Sequence, residues 1–422
     1  MTTAEVVGPE GAAPPDEHRE GRGGILGFWD QLTSDIRQGN LGIVPIILGQ
    51  IFIVVFFSFK ATNFFTAINF SNIIIQMAGT TMLAFGVVFV LLLGEIDLSI
   101  GFVAGIGALI VAELQLPGTG WQVNGLIAML IAVAACALIG VVQGSIVAFV
   151  GVPSFVVTLA GYLIWQGVIL SKLQVRGTII IQDRWINYTA SYYFSHFAGY
   201  LIAAAVTAVY PVSRLVGWLR QRQANVSGES IRSIALKSAG IGLAAFGVVA
   251  ICNHGVVQGT PFGLPLAGLL ILIFLVVLTF LAKRTLFGRH VYAVGGNAEA
   301  ARRAGINVPR IRVLVFGISG ATAAVGGIIL AANVNSVALT FPPSTLLLNS
   351  IAAAVIGGVS LFGGRGEVRG ALIGSLVIAT VSNGLDTAGY STGTIYIVTG
   401  LILLLAVTLD TVSRRLQVRA GR

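Results

Sequence analysis

Few residues of this chain have the chemistry and spacing that catalysis or metal binding requires. No two of its four histidines (His18, His196, His254 and His290) have the spacing of metal ligands, and none forms a catalytic pair with an acid. No lysine follows a glycine, so the GxxxxGK[ST] phosphate loop is missing. No GxSxG sequence marks a nucleophilic serine. The sequence therefore predicts no catalytic residue, no metal site and no cofactor.

One segment, residues 283–312, concentrates charge between two apolar stretches. It contains seven Lys or Arg residues and a single acid, Glu299. Such a segment cannot lie in hydrocarbon, and its positive charge favours the cytoplasmic surface of a membrane. We therefore expect a cytoplasmic loop here.

Within this loop the residue pattern predicts a short helix over residues 298–304. Asn297 is a good N-cap residue. Glu299 in the first turn and Arg302 and Arg303 in the last turn complement the helix dipole, and Gly305 is a natural C′ residue. A helix this short is marginal alone, so either the rest of the chain or a partner must hold it.

The composition indicates which kind of fold positions this segment. Of the 422 residues, 56% are hydrophobic and 10% are charged, whereas soluble domains carry about 25% charged residues. This predicts an all-α polytopic membrane protein. The net charge of +9 then reflects basic loops rather than nucleic-acid binding. Cys136 and Cys252 both lie in apolar segments, and we expect no disulfide.

Twelve apolar stretches are long enough to be transmembrane helices. Ten of them would form a core, and two, within residues 190–255, an inserted pair. The stretches lie near residues 41–60, 71–93, 97–115, 125–149, 153–172, 194–217, 237–255, 264–282, 313–333, 345–362, 369–388 and 392–410.

The basic residues predict the orientation of the chain. With the N-terminus inside, all of the 25 Lys and Arg residues lie on the cytoplasmic side except Lys60, Lys172, Arg176 and Arg184. Both termini are then cytoplasmic. Residues 1–40 are expected to form a disordered tail, residues 41–410 the membrane domain, and residues 411–422 a basic tail.

Pairs of glycines four residues apart predict close packing between helices in lipid. They are Gly101 and Gly105, Gly140 and Gly144, and Gly370 and Gly374. We expect these pairs to pack within the chain rather than to form a dimer face.

Two separate strings resemble a known family. Glu299-Ala300-Ala301 followed by Gly305 is similar to the EAA…G loop of the membrane subunits of ABC importers. The segment Gly94-Glu95-Ile96-Asp97-Leu98-Ser99-Ile100-Gly101 resembles the G-x-I-D-L-S-x-G signature of ribose/xylose-type sugar permeases. Ribose-type members commonly have glycine where this chain has Glu95, and they lack the inserted pair. The chain is therefore more similar to the longer xylose-type permeases.

The resemblance implies one half of an importer in the bacterial inner membrane. Two copies would form the pathway, separate ABC ATPase subunits would grip residues 297–305, and an extracytoplasmic binding protein would deliver a monosaccharide, with xylose as the expected sugar. For the signature turn two interpretations stay open: Asp97 or Ser99 caps the next helix, or the turn is a gate or second ATPase contact. A second Gly-rich stretch, residues 357–364, is either a degenerate repeat of 94–101 or a chance similarity.

Polar and aromatic residues at the predicted outer ends of the spans could line the pathway or receive the binding protein, because sugars need amide, hydroxyl and aromatic partners. The alternative is that these residues are ordinary polar residues of solvated loops without a role in transport. The residues are Asn333, Asn335, Phe341, Asn349, Asn383 and Asp386.

Three other functions remain as alternatives. A permease for another small solute, such as a branched-chain amino acid, would have the same architecture. A secondary carrier normally keeps ionisable groups at mid-membrane, whereas Glu113 and Asp386 are expected near span ends. An integral membrane enzyme would need a catalytic constellation, which the sequence lacks.

Overall fold

A computed structural model describes residues 44–118, 120, 122–223, 231–254 and 263–419. The predicted tail of residues 1–40 lies outside these ranges. Within them the chain is helical apart from two short strands. The first nine helices are α1 (Val44–Lys60), α2 (Ala67–Leu92), α3 (Ile100–Leu114), α4 (Gly125–Ser145, continued by a π-helical turn, Ile146–Val150), α5 (Ser154–Arg176), α6 (Arg184–Ser191), α7 (His196–Gln223), α8 (Ile231–Cys252) and α9 (Leu266–Arg284).

The remaining elements contain the charged segment and the last spans. They are α10 (Leu286–Gly296), α11 (Ala298–Arg303), α12 (Val308–Asn333), α13 (Pro343–Ile356), α14 (Val368–Thr387) and α15 (Thr392–Arg419). Strands β1 (Ile179–Ile180) and β2 (Ser336–Val337) pair antiparallel, with Ile179 opposite Val337.

Eight helices in the described ranges are long and apolar enough to cross a membrane, namely α2, α4, α5, α7, α8, α9, α12 and α14. Four shorter helices, α1, α3, α13 and α15, are also apolar. Each of the twelve predicted stretches coincides with one of these helices. The all-α polytopic class is therefore confirmed.

Helices α2 and α12 form the centre of the bundle. Every residue of α2 from Met77 to Leu92 is buried, and α12 packs against α2, α3 and α4. A helix that is apolar and buried all round is typical of such a central position. Outer helices instead expose large apolar side chains, such as Phe52 on α1 and Phe280 on α9, and these can contact lipid.

The glycine pairs pack within the chain, as expected. A Cβ on Gly140 would lie 2.0 Å from the carbonyl oxygen of Phe316, and one on Gly374 would lie 1.9 Å from that of Ala353. Since neither contact leaves room for a methyl group, α4 lies directly on α12 and α14 directly on α13.

Several elements differ from the sequence-based expectation. Helices α7 and α8 form the predicted pair and pack on each other, but the short helix α6 that precedes them was not predicted. Helix α15 continues to Arg419, so most of the predicted basic tail is helical. The segment 283–312 is not a loop with one small helix, because it also contains α10.

Candidate functional site

Helix α11 has the predicted capping geometry. The backbone N–H of Ala300 donates to Asn297 Oδ1 at 2.9 Å. At the other end Gly305 adopts φ +83°, and the N–H of Ile306 donates to the carbonyl of Ala301. This pairing satisfies a helix-end carbonyl and fixes where the chain leaves α11.

The chain itself holds α11 in place. Ala301 is buried, and Ala298 and Ile306 pack against the main core. The opposite face is exposed and carries Glu299, which forms ion pairs with Arg302 at 3.7 Å and with Arg303 at 3.3 Å. Exposed pairs of this kind contribute about 0–1 kcal/mol. The charged face of α11 is therefore available for contact with another molecule without unfolding the helix.

Helix α10 connects α11 to the membrane domain and was missed from the sequence. Its N-cap is Thr285, whose Oγ1 accepts from the N–H of Gly288 at 3.2 Å. Val291 and Val294 of α10 are buried and form the face that packs on the rest of the chain. The apolar spacing of these two valines was the available signal, but the surrounding basic residues obscured it.

The C-terminal end of α10 meets two Gly-rich turns. We call residues 93–99 the α2–α3 turn and residues 357–367 the α13–α14 turn. The N–H of Gly364 donates to the carbonyl of Leu92 at 2.9 Å. A Cβ on Gly295 would lie 1.7 Å from that same oxygen. The end of α10 thus lies against both turns with no space for a side chain at position 295.

The α2–α3 turn is held by a buried carboxylate. Asp97 Oδ1 accepts from the backbone N–H of Ser99 at 3.0 Å and from its hydroxyl at 2.7 Å. Asp97 Oδ2 accepts from the hydroxyl of Ser319 on α12 at 2.8 Å, and Gln143 Oε1 on α4 lies 3.0 Å from Ser99 Oγ. These bonds join the turn to two other helices.

Of the two interpretations of the signature turn, the structural one fits Asp97. Asp97 and Ser99 are both buried, so neither can contact a cytosolic partner in this conformation. Ser99 is the N-cap residue of α3 but makes no side-chain capping bond, so of the two capping residues that the sequence left open, Asp97 is the one that accepts from a backbone N–H at the start of α3. Gly94 has φ +75° and ends α2, while Gly101 lies against the carbonyl of Pro343.

Glu95 links the same turn to the start of α12. Its carboxylate lies 3.0 Å from Nε of Arg312, and both side chains are mostly buried. The Nε–H group of Arg312 does not point at the carboxylate, so the pair is held by charge. Through Glu95 and Asp97, the α2–α3 turn is tied to α12 at two points.

The two Gly-rich turns share a helix-ending geometry. Gly94 and Gly358 both have positive φ, and each donates to the carbonyl three residues before it, Leu91 or Val355. Gly94 therefore corresponds to Gly358, whereas a repeat of residues 94–101 over residues 357–364 would match Gly94 with Gly357. Gly305 ends α11 in the same way, so the geometry is a general helix ending and not a sign of a repeat.

At the opposite end of the bundle, three of the predicted pathway residues lie around β2. Asn333 and Asn335 are exposed, and the carbonyl of Asn335 accepts from the N–H of Ile181 at 2.9 Å. Phe341 is partly buried against the main core.

The other three do not join them. Asp386 is exposed near the end of α14, but Asn349 lies in the middle of α13. Asn383 lies inside α14 and is buried, with its Nδ2 donating to Gln76 Oε1 of α2 at 3.3 Å. Asn349 therefore lies deeper in its helix than expected, because α13 already begins at Pro343. Asn383 lies close to the end of α14 at Thr387 but is buried in the bundle.

A polar cluster that the sequence did not suggest surrounds Asn383. Gln50 on α1 donates from Nε2 to Thr380 Oγ1 at 2.9 Å, and Thr380 lies one turn before Asn383 on α14. The side-chain oxygens of Gln50 and Asn383 are buried and have no hydrogen-bond partner among the described residues. Isolated glutamines in apolar stretches were the only available signal.

Comparisons with known proteins agree over most of the chain. A family model described as the branched-chain amino acid transport system / permease component matches residues 69–407. The xylose transport system permease protein XylH of Escherichia coli (strain K12) is 32% identical over 385 residues, covering 90% of this chain and 95% of that protein. The XylH protein of Haemophilus influenzae is 33% identical, covering 90% and 99%.

A ribose protein is similar over a slightly shorter range. The ribose import permease protein RbsC of Escherichia coli (strain K12) is 29% identical over 364 residues, covering 86% of this chain and 92% of that protein. No solved structure matches the chain.

Proposed function

Because the chain belongs to the family of branched-chain amino acid transport system permease components, and within it to the ribose/xylose-type sugar ABC permeases, we propose that it is the xylose-conducting subunit of an ATP-driven importer. It is a multi-pass protein of the inner membrane. Its transport system implies ATPase and binding-protein partners. The identity with the xylose permeases, which exceeds that with the ribose permease, supports xylose.

Helix α11 is the proposed docking element for the ATPase. The observation that carries this proposal is the division of its surface. One side, with Ala301, is packed on the chain, and the other presents Glu299, Arg302 and Arg303 to solvent. A cytosolic subunit that binds the exposed side can then move the whole helix, and with it the residues on which its packed side lies. The membrane domain supplies no phosphate loop, so ATP hydrolysis belongs to the partner.

The packed side offers a route for movement. A shift of α11 moves α10, whose end is locked against the α2–α3 and α13–α14 turns at Gly295. It also moves the start of α12, which is tied to the α2–α3 turn through Arg312 and Asp97. Two-state movement of a docked element of this kind is a known means of coupling.

Clustering of charge supports the proposed orientation. Three contacts bring the ends of α2, α9 and α13 to one end of the bundle, where residues 283–312 lie. They join Leu92 to Gly364, Glu95 to Arg312 and Lys283 to Glu367. The positive-inside rule then makes this end cytoplasmic. Arg176 pairs with Glu113 at the other end.

For the sugar, we propose a route past the polar cluster of α1, α2 and α14. The unpaired side-chain oxygens of Gln50 and Asn383 can accept hydrogen bonds from sugar hydroxyls. Unpaired polar groups within a membrane protein commonly mark substrate routes. Asn333, Asn335, Phe341 and Asp386 lie nearer the outer end, where the binding protein would dock. Asn349 is proposed to face the same route, and two copies of the chain would enclose it.

Uptake measurements test the docking role. The complex of the permease, its ATPase and its binding protein is reconstituted in liposomes, and uptake of labelled xylose is compared for Glu299→Gln and for Arg232→Gln, an exposed basic residue at the start of α8. We expect Glu299→Gln to lose most of its uptake with normal sugar binding by the soluble receptor, and Arg232→Gln to keep it. Normal uptake by Glu299→Gln at normal protein levels would rule out the docking role.

A solute panel decides between xylose and the second candidate function. The description of the matching family names branched-chain amino acids, so labelled leucine and ribose are tested beside xylose. Xylose uptake alone supports the proposal, and leucine uptake would replace it.

Labelling of introduced cysteines tests the orientation. The two natural cysteines, Cys136 and Cys252, are buried, so they give little background. We expect an impermeant maleimide added to intact cells to label Lys172→Cys but to label Arg302→Cys only after lysis. The reverse pattern would invert the proposed topology.

A further inference from the structure

A cavity of about 460 Å³ opens at the basic end of the bundle. It lies between the end of α9, helix α10 and the α13–α14 turn. Its lining consists of Ala282, Lys283, Arg289, Tyr292, Gly366 and Glu367. The hydroxyl of Tyr292 donates to the carbonyl of Gly366 at 2.7 Å, which joins α10 to the turn and fixes one wall.

The single acid of the cavity is already paired. Glu367 accepts from Lys283 and forms two hydrogen bonds with Arg369, the shorter at 2.8 Å. Burial by itself raises the pKa of Glu367, but the bonds from Lys283 and Arg369 outweigh it, and the pKa lies below its ordinary value. Glu367 is thus an ionised anchor that positions the cations around it.

One further cation of the cavity lining, and two cations beside it in the sequence, have no such partner among the described residues. Arg289 lines the cavity, Arg284 ends α9 next to Lys283, and Arg365 precedes Gly366. None of these three arginines forms an ion pair with a residue that the structure describes. The cavity therefore has an excess of positive charge and room for an anion.

The apolar surface beside the cavity indicates what kind of anion fits. Val276, Phe280 and Arg284 follow one another at intervals of four residues, so they lie on one face of α9. Val276 and Phe280 are 59% and 60% exposed, as is typical of a lipid-facing surface. This face leads directly to the cationic end of the helix, so a molecule with an apolar chain and an anionic head would contact both at once.

We propose that this cavity binds the phosphate of an anionic phospholipid headgroup, with Arg289 of the cavity lining and Arg284 at the adjoining end of α9 as its ligands and with acyl chains along Val276 and Phe280. Guanidinium groups match phosphate oxygens in bidentate geometry. Basic pockets at the cytoplasmic ends of transmembrane helices are suited to such headgroups. A bound lipid would also hold α10, which connects the proposed docking helix to the two turns.

Native mass spectrometry of the full-length chain tests the proposal. Detergent-purified protein is titrated with phosphatidylglycerol, and separately with phosphatidylcholine and with inorganic phosphate. Each cation beside an anionic headgroup contributes about fivefold to affinity. We therefore expect the double variant Arg284→Gln/Arg289→Gln to bind phosphatidylglycerol about 30-fold more weakly than the unaltered chain.

The matched control is Arg302→Gln/Arg303→Gln, which removes the same charge from the same segment but away from the cavity. It should bind phosphatidylglycerol normally, and Arg284→Lys/Arg289→Lys should bind with intermediate affinity. All three variants should unfold at the same temperature without lipid, because the replaced side chains are exposed.

Three results would overturn the proposal. The first is equal weakening of lipid binding by both glutamine double variants, which would indicate unspecific charge attraction. The second is binding of phosphatidylcholine, or of inorganic phosphate, as tight as that of phosphatidylglycerol. Tight phosphatidylcholine binding would indicate a site without headgroup selectivity, and tight phosphate binding would indicate a site for free phosphate. The third is unchanged lipid binding by Arg284→Gln/Arg289→Gln together with lost assembly with the ATPase, which would make the cavity a contact for that subunit.

Discussion

Replacement of Gly295 by alanine tests whether movement passes from α10 to the two turns. A Cβ at this position would lie 1.7 Å from the carbonyl oxygen of Leu92 and 2.8 Å from the backbone nitrogen of Gly364. Ordinary contacts of such an atom begin at 3.4 Å, so the backbone must move by about 1.7 Å to admit it. Overpacking of this kind costs about 1–3 kcal/mol.

The same movement breaks the hydrogen bond between Gly364 and Leu92, which adds about 0.5–1.5 kcal/mol. We expect Gly295→Ala to lose about 1.5–4.5 kcal/mol of stability in total and to separate α10 from the turns. Gly296→Ala is the matched control, because a Cβ there meets nothing within 4 Å. It should be neutral.

The assay measures three quantities on the reconstituted importer: the unfolding temperature, the rate of ATP hydrolysis and the sugar taken up for each ATP hydrolysed. For Gly295→Ala we expect a lower unfolding temperature and less sugar for each ATP, since hydrolysis continues while its movement is poorly transmitted. If Gly295→Ala and Gly296→Ala gave the same sugar uptake for each ATP, α10 would not be the transmitting element.

Three further predictions concern the same region. Asp97→Asn should lower the free energy of unfolding by about 1–3 kcal/mol, because an amide replaces a buried carboxylate that accepts from two serines; chemical denaturation in detergent measures this, and an unchanged midpoint would contradict it. A double-mutant cycle of Glu95→Gln and Arg312→Gln should give a coupling energy of about 0.5–3 kcal/mol, and additive effects would show that the pair is unimportant. Gly305→Ala should cost about 1–2 kcal/mol, because alanine disfavours the left-handed conformation, and should reduce uptake; unaltered uptake and stability would contradict the role of this helix ending.

The helix positions could be predicted from the sequence because the length of an apolar stretch is a local property. The caps of α11 were predictable for the same reason, since Asn297 and Gly305 act on atoms within a few residues of themselves. Helix α10 was not, because its buried face is defined by contacts with distant helices, and its charge suggested a loop.

The candidate site was predictable only in part. The sequence identified Asp97 as a notable residue but not its role, because its partner Ser319 is 222 residues away. The contact between Leu92 and Gly364 also joins distant turns. Asn383 was expected near the outer end of its span, but its contact with Gln76 could not be predicted, because the two residues are 307 positions apart.

Uphill uptake by the purified chain tests the central claim most directly. The claim is that movement of this permease is driven by an ATPase that docks on α11. In liposomes that contain the chain alone, under a proton or sodium gradient, we expect no accumulation of labelled xylose. Accumulation should begin when the ATPase, ATP and the binding protein are added. Accumulation by the chain alone would contradict the claim.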